Sequence, residues 1–181
     1  MPVSSPSTLA FDQLNWSTPQ EVEREGFDDS IAQGVDGKTT SVTLTIASED
    51  PVYNALDIPP VNVNVSDNDD AEFILSSETV TVTESGTGAT LKVSLNSQPV
   101  SDVVLTVASG DTGEATVSPA TLTFTNGNWN ATQTVAITGV DDTATDGPQD
   151  TTVTIAVDAD NSDNAFDGVA DQAVTATTTD N

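Results

Sequence analysis

Pro119-Ala-Thr-Leu-Thr-Phe-Thr-Asn-Gly-Asn-Trp-Asn-Ala-Thr-Gln-Thr-Val-Ala-Ile-Thr-Gly-Val-Asp-Asp142 decides the fold. Thr121–Phe124 and Thr134–Ile137 alternate polar and apolar residues, the period of a half-buried strand, and Asn126-Gly-Asn128 between them is a turn signal. The same wording occurs earlier, as Pro6-Ser-Thr-Leu-Ala-Phe11, Asn15-Trp16, Gln20-Glu-Val22 and Gly26-Phe-Asp28-Asp29. Trp129 lies 113 residues after Trp16, and Asp141 lies 113 after Asp28. Ser66-Asp67-Asn68 and Thr179-Asp180-Asn181 end the two copies at that same spacing. A period of this length is too long for a solenoid repeat and fits one β-sandwich per copy. Only Met1–Ser5 precede Pro6, so residues 1–69 read as the C-terminal part of a repeat and residues 70–181 as a complete module.

Strands account for most of the rest. Glu78–Thr83, Ala89–Leu95, Val103–Val107 and Thr152–Val157 also alternate with period two and predict antiparallel strands. Ser85-Gly-Thr-Gly88, Ser109-Gly-Asp-Thr-Gly113 and Asp146-Gly-Pro148 separate them. Nothing has helical periodicity. Seven or eight strands with turns between them predict an all-β, immunoglobulin-like antiparallel β-sandwich. The partial copy offers four strands, around Thr8–Phe11, Gln20–Glu25, Ser41–Ala47 and Val61–Ser66, with Val42, Leu44 and Ile46 matching Val153, Ile155 and Val157 at an offset of 111. Four strands leave an apolar face uncovered, a state in which sheets recruit a partner.

Charge narrows the partners. The chain carries 29 acids, three bases (Arg24, Lys38 and Lys92) and no His, a net charge of −26. Nucleic acid and anionic membranes, both polyanions, are disfavoured. A hard divalent cation, which prefers carboxylate and carbonyl oxygen, is favoured. The alternative, a merely solvated acidic surface, does not explain why acids recur at repeat-matched positions. The absence of Cys and His removes disulfides, thiolate sites and His-based catalysis. No apolar run is long enough to span a membrane, and Met1-Pro-Val-Ser-Ser lacks the basic and apolar regions of a secretory signal. A removed signal or a cut from a longer chain is expected, with an extracellular or cell-surface location. Trp16 and Trp129, each in an Asn-Trp pair after a Leu-x-Phe strand, are expected to anchor packing; the rival reading is an exposed ring that stacks on a sugar.

The chemistry lies in the acids. Asp141, Asp142 and Asp146 sit in one loop after a strand and could wrap one oxygen-seeking cation, with other loops adding Glu84, Glu114 and Asp180 to reach six to eight oxygens. Four acidic loops at one pole would repel without a counter-ion.

Residues from about Ala71 to Asn181 resemble a Calx-β domain, known from sodium–calcium exchangers, integrin β4 and many bacterial surface proteins. The resemblance rests on Val80-Thr-Val-Thr-Glu84-Ser-Gly86, Gly113-Glu114 before Leu122-Thr-Phe124, Gln133–Val140 running into Asp141-Asp142, and Thr179-Asp180-Asn181. It implies calcium ligands at Glu84, Glu114, Asp141, Asp142, Asp146 and Asp180, with the carbonyl of Ala144 as a backbone donor. The family often has three Asp where this chain has Asp141-Asp142-Thr143, and often ends in several acids, so the resemblance implies one or two ions. The partial copy keeps Asp28 and Asp29 but has Gln33 in the place of Asp146, which predicts a crippled site. Asp67 and Asp69, in the junction Asp67-Asn-Asp-Asp70, either bind a weaker cation or form a solvated linker.

These readings predict a non-catalytic, calcium-binding structural or extender module of a large adhesin-like protein, with Ca2+ and neighbouring repeats or identical subunits as partners. One alternative is a self-assembling filament or matrix subunit whose partial module is completed by a neighbouring chain. Another is a carbohydrate-binding module using Trp16 or Trp129. Carboxylate pairs of glycosidase type are formally available, but 4% aromatic residues do not line a sugar cleft.

Overall fold

The computed structural model describes residues 4–32 and 38–181; Gln33 and Met1–Val3 fall outside them. The described residues divide into two compact units. One lies within Met1–Asp29 and Gly37–Ser66, the other within Ser30–Asp36 and Asp67–Asn181. The division at Ser66/Asp67 falls three residues before the 69/70 boundary read from the sequence.

The first unit holds four short strands, β1 (Ser4–Ser5), β2 (Glu23–Arg24), β3 (Lys38–Val42) and β4 (Val61–Val65). They form two separate pairs, β1 with β2 and β3 with β4. Among the described residues the one α-helix, α1 (Pro51–Asn54), is a single turn capped by the carboxylate of Asp50, which accepts from Val52 N–H.

The second unit is an immunoglobulin-like β-sandwich. Its nine strands are β5 (Phe73–Leu75), β6 (Thr79–Thr83), β7 (Ala89–Leu95), β8 (Val103–Ser109), β9 (Ala115–Ser118), β10 (Thr121–Phe124), β11 (Gln133–Gly139), β12 (Gln149–Val157) and β13 (Gln172–Thr179). One sheet runs in the order β10-β8-β12-β13-β6, the facing sheet in the order β5-β7-β11-β9. Every neighbouring pair is antiparallel except β6 with β13, which is parallel and departs from the all-antiparallel expectation. The period-two pattern does the work predicted for it. Leu91 and Val93 of β7, Val135 and Ile137 of β11, and Val153 and Ile155 of β12 are all buried between the sheets, and their alternate neighbours face outward. Phe124 and Phe166 are also fully buried. Phe166 is held in place by buried Asp163, whose carboxylate accepts from Val100 N–H at 2.6 Å, Ser101 N–H at 2.8 Å and Ala165 N–H at 3.0 Å. Ser30–Ala32 belongs with this unit: the Ser30 carbonyl accepts from Gln98 N–H, and Ala32 is buried.

The first unit repeats part of this sandwich in the same register. β1 pairs Ser4 with Arg24 and Ser5 with Glu23. Shifted by 113 residues these become Val117 with Ile137 and Ser118 with Ala136, which are pairs of β9 with β11. β3 pairs Lys38 with Val65 and Val42 with Val61. Shifted by 111 and 113 these become Gln149 with Thr178 and Val153 with Val174, which are pairs of β12 with β13. Each ladder whose two strands both have a counterpart in residues 1–69 forms there in part. Each segment whose ladder partner has no counterpart does not. Thr8–Phe11, expected as a strand, forms none, because its equivalent β10 pairs only with β8. Of Gln20–Glu25 only Glu23 and Arg24 lie in β2, because β11 otherwise leans on β7.

The expected strand Ser41–Ala47 ends at Val42 for two reasons. Beyond that point β12 is held mainly by β8, which pairs with it from Val153 to Val157. On the other side, the residues that would extend β4 are Pro59 and Pro60, which have no N–H to donate to a ladder. The apolar residues are exposed accordingly: Phe11 is 57% exposed where Phe124 is 0%, and Leu44 is 42% exposed where Ile155 is 0%.

Candidate metal centre

Backbone pairing at one end of the sandwich gathers the acidic loops. Glu84 follows β6 directly, and its N–H donates to the Thr179 carbonyl at 3.1 Å, which extends the parallel β6–β13 ladder to the edge and sets Asp180 beside it. Glu114 precedes β9. Its carbonyl accepts from Val140 N–H at 2.9 Å and from the buried Thr178 hydroxyl at 3.1 Å, so it lies against the ends of both β11 and β13. Asp141 and Asp142 leave the end of β11. Gly147, in the left-handed region at φ 75°, turns the chain back after Asp146 and donates its N–H to Asp180 Oδ2 at 3.1 Å.

Gly139 makes this convergence sterically possible. A Cβ there would lie 2.5 Å from the Thr83 carbonyl oxygen, so only glycine lets the end of β11 approach the end of β6 this closely.

The carboxylates differ in their surroundings. Asp142 Oδ1 accepts from Ala144 N–H at 2.6 Å, which curls the loop over its own first turn. Asp141 Oδ1 accepts from Asn181 Nδ2 at 3.1 Å. Asp141, Asp142, Ala144 and Asp146 are exposed, whereas Glu114 and Asp180 are half-buried. Glu84 is 5% exposed, and its carboxylate meets no hydrogen-bond donor among the described residues. Burial raises its pKa above the ordinary carboxylate value, and the negative fields of Asp180, Asp142, Asp146 and Glu114 raise it further. The pKa of Glu114 is also raised, first by burial and then by Asp146, Asp111 and Asp142. These influences place Glu84, Glu114, Asp142, Asp146 and Asp180 in one electrostatic neighbourhood. Even so, among the described residues no three acids are drawn together tightly enough to form a ready-made metal-binding group.

Asp111 belongs to this pole and was not singled out in the sequence. Its side chain accepts from Gly113 N–H at 2.8 Å, and its carbonyl accepts from Ala115 N–H. The signal was its place in Ser109-Gly-Asp-Thr-Gly113, which reads as an ordinary turn. Of the weaker candidates, Asp28 and Asp29 lie in the first unit, where no counterpart of Glu84 exists. Asp67 and Asp69 make a local turn, Asp67 Oδ1 accepting from Asp69 N–H at 3.3 Å.

The two tryptophans have opposite fates in the same corner. Asn128 Oδ1 accepts from Thr125 N–H at 2.6 Å, and Gln133 Nε2 donates to the Thr123 carbonyl at 2.7 Å. In the first unit Asn15 Oδ1 accepts from Asp12 N–H at 2.7 Å, and Gln20 Nε2 donates to the Ala10 carbonyl at 2.7 Å. Trp129 packs half-buried on the core, with β7 fastened to its carbonyl through Leu95 N–H at 2.9 Å. Trp16 is 72% exposed and so departs from the expected packing anchor, because residues 1–69 contain no counterpart of β7 to lie across it.

No family model matches the chain, and no curated protein does. Solved structures do. A Bacteroides ovatus GH5 xyloglucanase matches at 14% identity over 60% of this chain and 19% of its own length, with a TM-score of 0.41. The E. coli chaperone DraB matches at 9% identity over 60% of this chain and 55% of its own, with a TM-score of 0.45. A PapD-like domain of human CEP192 matches at 10% identity over 60% of this chain and 84% of its own, with a TM-score of 0.45. The chain therefore spans about a fifth of the first of these proteins and about half of the second.

Proposed function

We propose that the second unit is a Calx-β-like structural module whose acidic pole takes calcium, and that the chain serves as a non-catalytic extender of an extracellular or cell-surface protein. The observation that carries this reading is Glu84, a residue only 5% exposed that lies in the negative field of Asp180, Asp142, Asp146 and Glu114. Lys92 is the only base in the sequence of this unit, and it sits mid-strand on β7. A buried carboxylate among like charges is unfavourable unless it is protonated or a cation neutralises it. The donors are all hard oxygens, which suits calcium and not the softer metals.

Glu84, Glu114 and Asp180 are set by the strand ends and would form the fixed part of the site. Asp142, Asp146 and the Ala144 carbonyl belong to the exposed loop and would close on the ion. Calcium would supply charge neutralisation at the pole and tie the loop after β11 to the ends of β6 and β13. The consequence is stiffness rather than turnover.

Calorimetric unfolding at fixed ionic strength tests this. A ligand that binds only the native state adds about 2.7 kcal/mol at a hundredfold excess over Kd. The melting transition of the second unit should rise with calcium relative to chelator, and Asp142→Ala should remove most of that rise. Indifference of the wild-type chain to calcium would overturn the reading.

A further inference from the structure

The turn Thr125-Asn126-Gly127-Asn128 lies between β10 and β11, at the end of the sandwich away from the acidic pole. Asn128 N–H closes it by donating to the Thr125 carbonyl at 3.1 Å. Asn126 and Gly127 are exposed, and they form the only Asn-Gly pair in the sequence. A carboxamide followed by glycine can close on the next backbone nitrogen, because glycine has no side chain to block the ring. A Cβ on Gly127 would meet only Thr125 Oγ1, at 3.9 Å, so the space around that nitrogen is open. The groups that must move are loosely held. Gly127 N–H donates to Thr125 Oγ1 at 3.3 Å, and Asn126 Nδ2 donates to the Pro99 carbonyl at 3.4 Å, both at the long end of hydrogen bonding. The Asn126 main-chain carbonyl is held more firmly, accepting from Gln98 Nε2 at 3.0 Å.

We propose that Asn126-Gly127 is a self-modifying site that matures to isoaspartate, with Gln98 directing the product. The Gly127 nitrogen attacks Asn126 Cγ. A C–N bond forms, the Cγ–Nδ2 bond breaks, and ammonia leaves with the proton that Gly127 gives up. The cyclic imide that results has two carbonyls, one from the main chain and one from the side chain. Water attacks one of them; its hydroxyl ends on that carbon and its proton returns to the Gly127 nitrogen. Attack at the main-chain carbonyl breaks the bond between Asn126 C and Gly127 N and leaves isoaspartate. Attack at the side-chain carbonyl leaves aspartate. Gln98 Nε2 already donates to the main-chain carbonyl, so it stabilises the oxyanion that develops there and then the carboxylate set free. Beside the carboxamide lies the Pro99 carbonyl, an acceptor, which cannot stabilise an oxyanion. The net change is loss of ammonia, gain of water, a new negative charge and an extra carbon in the backbone between β10 and β11. The first unit has Gln13-Leu14 at the equivalent place, 113 residues earlier. There a larger ring must close on a nitrogen whose residue carries a side chain, so the modification belongs to the second unit.

The full chain, kept folded in mildly alkaline buffer, is sampled over time, digested and read by mass spectrometry with electron-transfer fragmentation, which separates isoaspartate from aspartate. A synthetic peptide of residues 121–133 is treated alongside. Asn126 should lose its amide severalfold faster than any other asparagine of the chain. The isoaspartate share of the product should be higher in the folded chain than in the peptide. Gly127→Ala should slow the loss severalfold, and the open space at that position lets the variant fold. Gln98→Leu should lower the isoaspartate share to that of the peptide. An Asn126 amide that lasts as long as the others in the chain, or a Gly127→Ala chain that loses it equally fast, would overturn the proposal. So would a product ratio that is the same in the folded chain and the peptide, since Gln98 would then direct nothing.

Discussion

The carboxylate of Glu84 gives the module a pH response opposite to that of most acid-denatured proteins. Its pKa is raised in the folded chain, by burial first and by Asp180 and the other acids next. The stability linked to it is therefore fully present below the unfolded value of about 4.5 and is lost as pH rises through the folded value. In chelator the second unit should be less stable at neutral pH than at mildly acidic pH, as far as this group governs. Glu84→Gln should flatten that slope and raise the neutral-pH melting temperature, while abolishing the response to calcium. A variant that is destabilised at neutral pH without calcium would contradict this account. Much of the pole was legible in the sequence because its acids flank strands, and Asp141, Asp142 and Asp180 also recur at the repeat spacing. Asp111 and Gly139 were not. The first is hidden in a turn signal, and the second acts through a side chain it does not have, across two sheets whose separation no linear pattern encodes.

The Asn-Trp corner shows how an element depends on one distant in sequence. The local hydrogen bonds of Asn15 and Gln20 reproduce those of Asn128 and Gln133, yet Trp16 stays exposed. Trp129→Ala should cost about 2–3 kcal/mol, below the ~3–5 of a fully buried aromatic. Trp16→Ala should stay within about 0.5 kcal/mol, as surface changes do. Chemical denaturation of both variants, followed by far-UV circular dichroism, measures the difference, and equal losses would refute the packing asymmetry. The same dependence explains which strands could be read. Ala89–Leu95 and Thr121–Phe124 were found where their alternation runs. Thr8–Phe11 carries the same alternation and forms no strand, because alternation records which face is apolar and not whether a ladder partner exists. β6 was read correctly as a strand, but its parallel neighbour β13 is a matter of topology.

Across the whole molecule the two units should unfold separately. Among the described residues the first holds two separate two-stranded pairs, which are marginal in water. Native-state amide exchange should therefore release β3 and β4 far earlier than β12 and β13, although the pairings are the same in register. Equal protection in the two would mean that the first unit is completed in solution. The parallel pairing of β6 with β13 carries a different consequence. β6 and β13 lie side by side and point the same way, Thr79–Thr83 alongside Thr175–Thr179, with β5 on β7 ahead of them in the chain. Once the short β5 has parted from β7, tension between the start of β6 and the end of β13 pulls these strands along each other, so the hydrogen bonds between them share the load at once instead of parting one after another. Such a geometry resists pulling, and a calcium ion taken up at the acidic pole, as proposed, would pin the far end of the loaded ladder under tension. Single-molecule extension should show the second unit yielding at higher force in calcium than in chelator, and a force unchanged by calcium would separate the pin from the ladder.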